Sequence, residues 1–148
     1  MISPRINLVT LGVAEIARSR AFYEKLGFKA SSAGNDDVAF FSANGIVLAL
    51  FGHQALADDA HVARAEMPSF RGVSLAWNCA SEAETTAVMA HAEACGAKIL
   101  KPAQKVFWGG YSGYYADPDG HVWEIAMNPF WPLQADGSLV LPGAPDVH

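Results

Sequence analysis

Residues 11–28 read LGVAEIARSRAFYEKLGF, and residues 76–97 read AWNCASEAETTAVMAHAEACGA. Each stretch has the pattern of a strand, then a helix that stops at a glycine, then the start of a new strand. Each is followed by a run that joins a glycine to apolar residues, GIVLAL at 45–50 and GHVWEIA at 120–126. A repeat that occurs only twice argues against an open solenoid. It predicts an α+β protein of two tandem βαβββ modules that share one cleft, a natural place for a ligand.

The repeat divides the chain into segments of a single domain. We expect module one over about 5–51, a linker with a loose helix over 52–70, module two over about 71–128 and a tail over 129–148. The patterns predict strands at 5–13, 28–32, 38–42 and 46–51 in module one, and at 72–78, 97–100, 113–116 and 122–127 in module two. They predict one helix over 16–26 and a second that Ser81 caps and Gly96 ends. The sequence DPDG at 117–120 predicts a turn between the last two strands.

Composition excludes several classes of function. The 148 residues are 51% apolar and carry a net charge of −5, with no basic stripe, so nucleic acid is not an expected partner. No apolar stretch of about 18 residues and no signal peptide is present, so we expect no membrane contact and a cytoplasmic location. Cys79 and Cys95 do not make a disulfide framework and are interpreted as small buried hydrophobes. The partners that remain are a small molecule and a second copy of the chain.

Several short motifs point to a known family. They are LGV at 11–13, FY at 22–23, LGF at 26–28 and GYYADPDGHVWEI at 113–125. Over roughly residues 5 to 130 the chain resembles the vicinal oxygen chelate superfamily, which includes glyoxalase I, extradiol dioxygenases, fosfomycin-resistance enzymes and bleomycin-resistance proteins. The resemblance implies two βαβββ modules whose curved mixed sheets enclose a shared cleft. Such proteins often assemble across a dimer, so the resemblance also implies a homodimer.

The resemblance also implies where a metal would be held. In metal-dependent members the ligands come from the first and the last strand of each module. Glu124 matches the carboxylate position in the last strand of module two, while the other three positions fall at about Leu48, Leu8 and Val73. A divalent metal requires several converging His, Asp or Glu ligands. We therefore expect a metal-free member of the superfamily with no cofactor.

Two features are candidates for ligand contact. Glu124 is the one charged residue of an apolar strand, and it could accept a hydrogen bond from a ligand, act as a general base, or serve only as a hydrogen-bonded structural carboxylate. The second feature is a group of aromatic residues, several of them interleaved with glycines, that could form a movable wall against a flat or cationic ligand or could instead fill the core. Its members are Trp77, Phe107, Trp108, Tyr111 and Tyr114, and we expect Trp108 and Tyr111 to line the cleft near Glu124.

Three functions remain open from the sequence. The first is a metal-independent small-molecule-binding protein of the glyoxalase/bleomycin-resistance type, which binds an aromatic or polycyclic ligand in an apolar cleft. The negative net charge favours a cationic or neutral ligand. The second is a lyase or isomerase of the same superfamily that uses Glu124 as its catalytic acid or base. The third is a dimeric interaction protein whose cleft is vestigial.

Overall fold

The computed structural model describes residues 2–63 and 67–143, which fall into two compact units. The first unit spans Met1–Gly72 and Asp117–His121, and the second spans Val73–Ala116 and Val122–His148. Over the described residues there are seven strands in two mixed sheets and three helices, which confirms the predicted α+β class and the two tandem modules. No helix in these ranges is both long and apolar enough to cross a lipid bilayer.

The first unit holds a three-stranded sheet with the order β1-β3-β2. Its elements are β1 (Leu8–Val13), α1 (Ile16–Leu26), β2 (Val38–Ser42), β3 (Val47–Gly52) and α2 (His53–Asp59). Strand β3 runs parallel to β1 and antiparallel to β2. The strand predicted at 28–32 is reduced to a single bridge between Ala30 and Phe41. Alanine and serine at 30–32 have little β propensity, so this segment pairs at one residue only.

Helix α1 forms the core of the first unit with the sheet. Phe22, Tyr23 and Leu26 fall on one face of the helix and are buried. The ring of Tyr23 lies 5.0 Å from that of Phe22 and 6.1 Å from that of Phe41 on β2. Gly27 ends the helix with a φ of 119°, a conformation that favours glycine.

The second unit holds a four-stranded sheet with the order β4-β7-β6-β5. Its elements are β4 (Ser74–Asn78), α3 (Glu82–Ala94), β5 (Lys98–Lys105), β6 (Tyr111–Ala116) and β7 (Val122–Met127). The predicted cap is present, because the side chain of Ser81 accepts a hydrogen bond from the Glu84 backbone N–H at 3.1 Å. The Glu84 carboxylate in turn accepts from the backbone N–H of Ala80 at 2.7 Å, which completes a reciprocal cap close to the usual form.

Strand β5 runs five residues beyond its predicted end at Leu100 and passes through Pro102. A proline cannot donate to a neighbouring strand, and it is tolerated here because β5 lies at the edge of the sheet. The pairing with β6 shifts between Ile99 and Lys101, before the proline, and again between Lys101 and Gln104, across it. The edge strand therefore accommodates the proline by a local irregularity rather than by ending.

The DPDG turn belongs to the first unit, although β6 and β7 on either side of it belong to the second. The side chain of Asp119, only 1% exposed, accepts hydrogen bonds from Ala14 N at 2.9 Å, Arg18 Nη2 at 3.0 Å and Ser19 Oγ at 3.3 Å. The carboxylate thus faces the first turn of α1, where the helix dipole favours a negative charge. Asp117 accepts from the hydroxyl of Tyr23 at 2.7 Å, so the turn is hydrogen-bonded to α1 at two levels.

His121 fixes the far end of the same turn. One guanidinium nitrogen of Arg71 lies 3.0 Å from His121 Nδ1, and another donates to the carbonyl of Asp119 at 2.6 Å. Since a guanidinium can only donate, Nδ1 is the acceptor and the ring proton sits on Nε2. Nε2 then donates to the carbonyl of Gly12 on β1 at 2.8 Å. The histidine thereby hydrogen-bonds the turn to the first strand of the chain.

The two modules repeat one another, but the predicted alignment between their last strands is shifted by one residue. Each last strand begins two residues after its glycine, at Val47 after Gly45 and at Val122 after Gly120. Counting along each strand, the residue equivalent to Glu124 is Ala49, so the predicted equivalence with Leu48 is wrong. Leu48 is buried and pairs with Phe41, on the side of the sheet that packs against α1. A shift of one residue moves a side chain to the opposite face of a sheet.

Candidate functional site

Glu124 lies in the middle of β7 between two neighbouring strands. The register pairs it with Ala76 of β4 on one side and with Tyr114 of β6 on the other, and Tyr114 is paired in turn with Lys101 of β5. Paired residues on neighbouring strands point to the same side of a sheet, so these four residues form one row across it. We call the surface that they define the Glu124 face.

Helix α3 covers the opposite side of this sheet. A Cβ atom on Gly113 would lie 2.9 Å from the end of the Met89 side chain of α3, and Gly113 pairs with Ile125 on β7. Ile125 is fully buried. Because side chains alternate along a strand, Tyr114 and Glu124 point away from α3. The Glu124 face is therefore the surface of the second sheet that α3 leaves uncovered.

A short hydrogen bond joins the two central residues of the face. The hydroxyl of Tyr114 donates to Oε2 of Glu124 at 2.6 Å, a length typical of a charge-assisted O–H···O⁻ bond. This bond, together with partial burial and the negative charge of Glu124, raises the pKa of Tyr114 to about 12. Tyr114 therefore stays protonated at neutral pH and holds the carboxylate in one orientation.

The other carboxylate oxygen of Glu124 has no hydrogen-bond partner among the described residues. The ion pairs found among the described residues involve Arg18 and Arg20 of α1, and none includes Glu124. The neighbours of the carboxylate are small, with Ala76 opposite it and Ala126 two residues along the strand. The face thus presents an acceptor oxygen beside two short side chains.

The structure separates the predicted aromatic residues into groups. Tyr114 lies on the Glu124 face, but Tyr111 and Trp77 lie on the side covered by α3, since their partners Met127 and Ile125 point there. The hydroxyl of Tyr111 is hydrogen-bonded to Thr86 of α3 at 2.9 Å. The expectation that Tyr111 lies near Glu124 is therefore wrong. A ligand contact by Tyr111 or Trp77 stays a prediction that needs a different surface.

Phe107 and Trp108 lie in the loop between β5 and β6. Two backbone hydrogen bonds close this loop, from Val106 N to Gly110 O at 3.0 Å and from Gly109 N to Val106 O at 3.1 Å. The ring of Trp108 occupies the space where a side chain on Gly110 would lie, while Phe107 is fully exposed. The glycine at 110 is thus required by the tryptophan ring. A role for this loop as a wall over a ligand stays a prediction.

The residues present do not fit a divalent metal. Across residues 2–63 and 67–143, no three side chains of His, Cys, Asp or Glu come together. In the corrected register the equivalent of Glu124 in the first sheet is Ala49, which has no donor atom. A metal held by Glu124 alone would have too few protein ligands.

Known proteins with a similar sequence and fold include members of one superfamily. A model of the glyoxalase/bleomycin resistance protein/dioxygenase superfamily matches residues 5–125. The chain is 39% identical to a glyoxalase-related enzyme from Fulvimarina pelagi, with a TM-score of 0.83 and coverage of 93% of this chain and 97% of the other. It is 29% identical to a glyoxalase/bleomycin resistance protein/dioxygenase from Nocardioides, with a TM-score of 0.73 and coverage of 86% and 85%.

A more distant structure shares the fold alone. A lactoylglutathione lyase from Agrobacterium tumefaciens is 21% identical, with a TM-score of 0.67 and coverage of 88% of this chain and 98% of the other. A search of proteins with curated functions finds no match. The choice among the activities of such proteins therefore depends on the chain's own residues.

Proposed function

Because the chain belongs to the glyoxalase/bleomycin resistance protein/dioxygenase superfamily, we propose that it binds a small aromatic or polycyclic molecule on the Glu124 face without a metal. The observation that supports this most is the hydrogen bond from Tyr114 to Glu124, which orients a carboxylate on the side of the sheet away from α3 and leaves one oxygen without a partner among the described residues. A carboxylate held in this way offers a fixed acceptor to a ligand.

The space beside the carboxylate supports the same proposal. Ala76 is exposed and stands directly across from Glu124 on the edge strand β4. The ring of Tyr114 lies on the other side of the carboxylate and provides an aromatic surface for a flat ligand. An apolar ring with one polar substituent matches this combination of small, aromatic and acceptor groups.

The test uses 2-naphthylmethanol, a neutral two-ring probe, and isothermal titration calorimetry. We expect saturable binding to the wild-type protein and a loss of at least about tenfold in Ala76→Trp, where an indole would occupy the space beside the carboxylate. Ala83→Trp adds the same side chain to an exposed position of α3 and serves as the control. Equal binding by the wild type and both variants would place the ligand elsewhere and refute the proposal.

A second candidate is a lyase or isomerase in which Glu124 takes a proton from a bound molecule. The observation that favours it is again the pairing with Tyr114, because the phenol can keep donating to Oε2 while the other oxygen receives a proton. A bound ligand with a C–H next to a carbonyl would give that proton to the carboxylate, hold the electron pair as an enolate, and take a solvent proton back at the same carbon. Mass spectrometry of that ligand after incubation in D₂O should show deuterium with the wild-type protein and none with Glu124→Gln.

We also propose a homodimer. Large apolar side chains of the second unit are exposed: Phe107, Phe130, Trp131, Leu139, Val140 and Leu141. A second copy of the chain would bury such residues. Sedimentation velocity should show a dimer that Phe130→Ser weakens, and a monomer across the accessible concentrations would overturn this proposal.

A further inference from the structure

We propose that the Glu124 face selects molecules that carry an ammonium group, and that Tyr114 is the residue that positions the carboxylate for this selection. The inference rests on the proposed function, since it names the chemical class of ligand for the same surface. It is carried by the single hydrogen bond between the phenol and the carboxylate and by the oxygen that this bond leaves unoccupied.

The first step concerns hydrogen-bonding capacity. An ionised carboxylate is an acceptor only, and it has room for about four hydrogen bonds. Within the described residues the side chain of Glu124 accepts one, from Tyr114 to Oε2. A ligand that approaches Oε1 must therefore bring a donor, and a ligand that brings an acceptor leaves both partners unsatisfied.

The second step concerns charge. No described Lys, Arg or His forms an ion pair with Glu124. Lys101, the cation in the same row, is two strands away by register, a separation of about 10 Å. That spacing separates the two backbones, and the Lys101 ammonium forms no ion pair with the carboxylate. The negative charge of Glu124 is thus left for a ligand to pair with, which favours a cation over a neutral molecule.

The third step concerns the choice of tyrosine as the residue opposite Glu124. An arginine or lysine at this position could orient the carboxylate but would also neutralise it. The phenol of Tyr114 orients it through a 2.6 Å hydrogen bond and contributes no charge, since a tyrosine is protonated at neutral pH. Tyr114 is therefore a positioning residue that leaves the charge of Glu124 available.

The fourth step concerns shape. An ammonium group on a short methylene arm needs a narrow approach to one oxygen, whereas a ring needs a wider apolar surface. Ala76, directly across from the carboxylate, has a short side chain and is exposed, while Ala126 is small and buried. An arylmethylammonium can therefore place its charge at Oε1 and its ring over the neighbouring strand.

The experiment compares three probes that share one ring system. These are 2-naphthylmethylamine, which is a cation at neutral pH, the neutral 2-naphthylmethanol and the anion 2-naphthylacetate, each measured by isothermal titration calorimetry. We expect the wild-type protein to bind the amine at least about tenfold more tightly than the alcohol, the range of a hydrogen bond to a charged group, and the acetate most weakly. This comparison needs no variant and so does not depend on the folding of one.

Variants then assign the selection to its residues. Glu124→Gln should reduce the ratio of amine to alcohol affinity to about one, while Glu93→Gln, which removes an exposed carboxylate from α3, should leave the ratio unchanged. Tyr114→Phe should lower the ratio to about threefold by freeing the carboxylate to rotate. The same Tyr114→Phe change made in Glu124→Gln should have no further effect, because a positioning residue acts only through the group it positions.

The outcomes separate this inference from the proposed function. If none of the probes binds, or if Ala76→Trp binds them as the wild type does, the proposed binding surface itself is wrong. If the alcohol binds as tightly as the amine and Ala76→Trp still blocks both, the surface stands and the selection for ammonium is refuted. If Tyr114→Phe lowers the ratio equally with and without Glu124, the positioning role is refuted.

Discussion

Removal of the Asp119 carboxylate should destabilise the first unit by an amount that its contacts allow us to calculate. In Asp119→Ala, the Ala14 backbone N–H loses a charge-assisted hydrogen bond of about 1.5 kcal/mol. The fully buried hydroxyl of Ser19 loses its partner at a cost of about 1–2 kcal/mol. Arg18 is nearly half exposed, so its ion pair contributes only about 0.5 kcal/mol. The expected loss is about 3–4 kcal/mol.

Asp119→Asn separates the effect of charge from that of hydrogen bonding. The amide oxygen can accept the bonds that Oδ1 accepts from Ala14 and Arg18, and the amide nitrogen can donate to the hydroxyl of Ser19 after that hydroxyl rotates. The asparagine variant should therefore lose only about 1 kcal/mol.

The assay is urea unfolding followed by far-ultraviolet circular dichroism, with thermal melting as a second measurement. For a chain of this length, 3–4 kcal/mol corresponds to a fall of about 10 °C in Tm. Asp36→Ala removes an exposed carboxylate from another turn and should change stability by less than about 0.5 kcal/mol. An alanine variant of Asp119 within about 1 kcal/mol of the wild type, or an asparagine variant as unstable as the alanine variant, would refute the reasoning.

Three further predictions test the second unit. The stabilisation that Tyr114 provides should be complete below pH 10, the usual tyrosine pKa, and should be lost as the pH rises to about 12; tyrosinate absorbance of Tyr114→Phe should show one late-ionising residue fewer than that of the wild type. Gly113→Ala would place a Cβ atom 2.8–2.9 Å from the backbone of β5 and should cost about 1–3 kcal/mol in urea unfolding, whereas Gly52→Ala meets only ordinary contacts and should cost about 0.5 kcal/mol, the effect of alanine at the N-cap of α2. Trp108→Ala should cost about 1–2 kcal/mol in a thermal melt, because the ring is half-buried in a loop; a loss of 3–5 kcal/mol would show that it is a core residue.

The sequence predicts correctly the bounds of those elements that end at a glycine or at a turn sequence. Helix α1, β2 and β7 have the predicted bounds, since a terminal glycine or a turn defines each of them. The strand at 28–32 was over-predicted and β5 was ended too early. In both places pairing depends on the neighbouring strand rather than on the local sequence.

The candidate site shows which information the sequence lacks. Glu124 and Tyr114 were both named as candidates, and the structure joins them by a hydrogen bond. Tyr111 lies outside the strand predicted at 113–116, and only the observed β6, which begins at Tyr111, places it three residues before Tyr114 and so on the opposite side of the sheet. Ala76 and Lys101 carry no chemical signal of their own, and only the strand register brings them to the Glu124 face.

The sequence predicts the DPDG turn but not its hydrogen bonds to distant residues. A turn of this composition is predictable from proline and glycine. Its partners in α1 lie about 100 residues earlier in the chain, and no pattern in the turn specifies them. The same turn explains why two aspartates can be buried, since Asp117 and Asp119 both accept hydrogen bonds from donors of the first unit.

That turn has a consequence for the order in which the protein is made. The first unit consists of Met1–Gly72 together with Asp117–His121. More than forty residues of the second unit are therefore synthesised before Asp117–His121, the last segment of the first unit. Until that segment leaves the ribosome, the N–H of Ala14 and the hydroxyls of Ser19 and Tyr23 have no carboxylate to bind. The amino-terminal half of a nascent chain therefore waits in an incomplete state, and a gene split after residue 72 would yield a first fragment that lacks part of its own hydrogen-bond network.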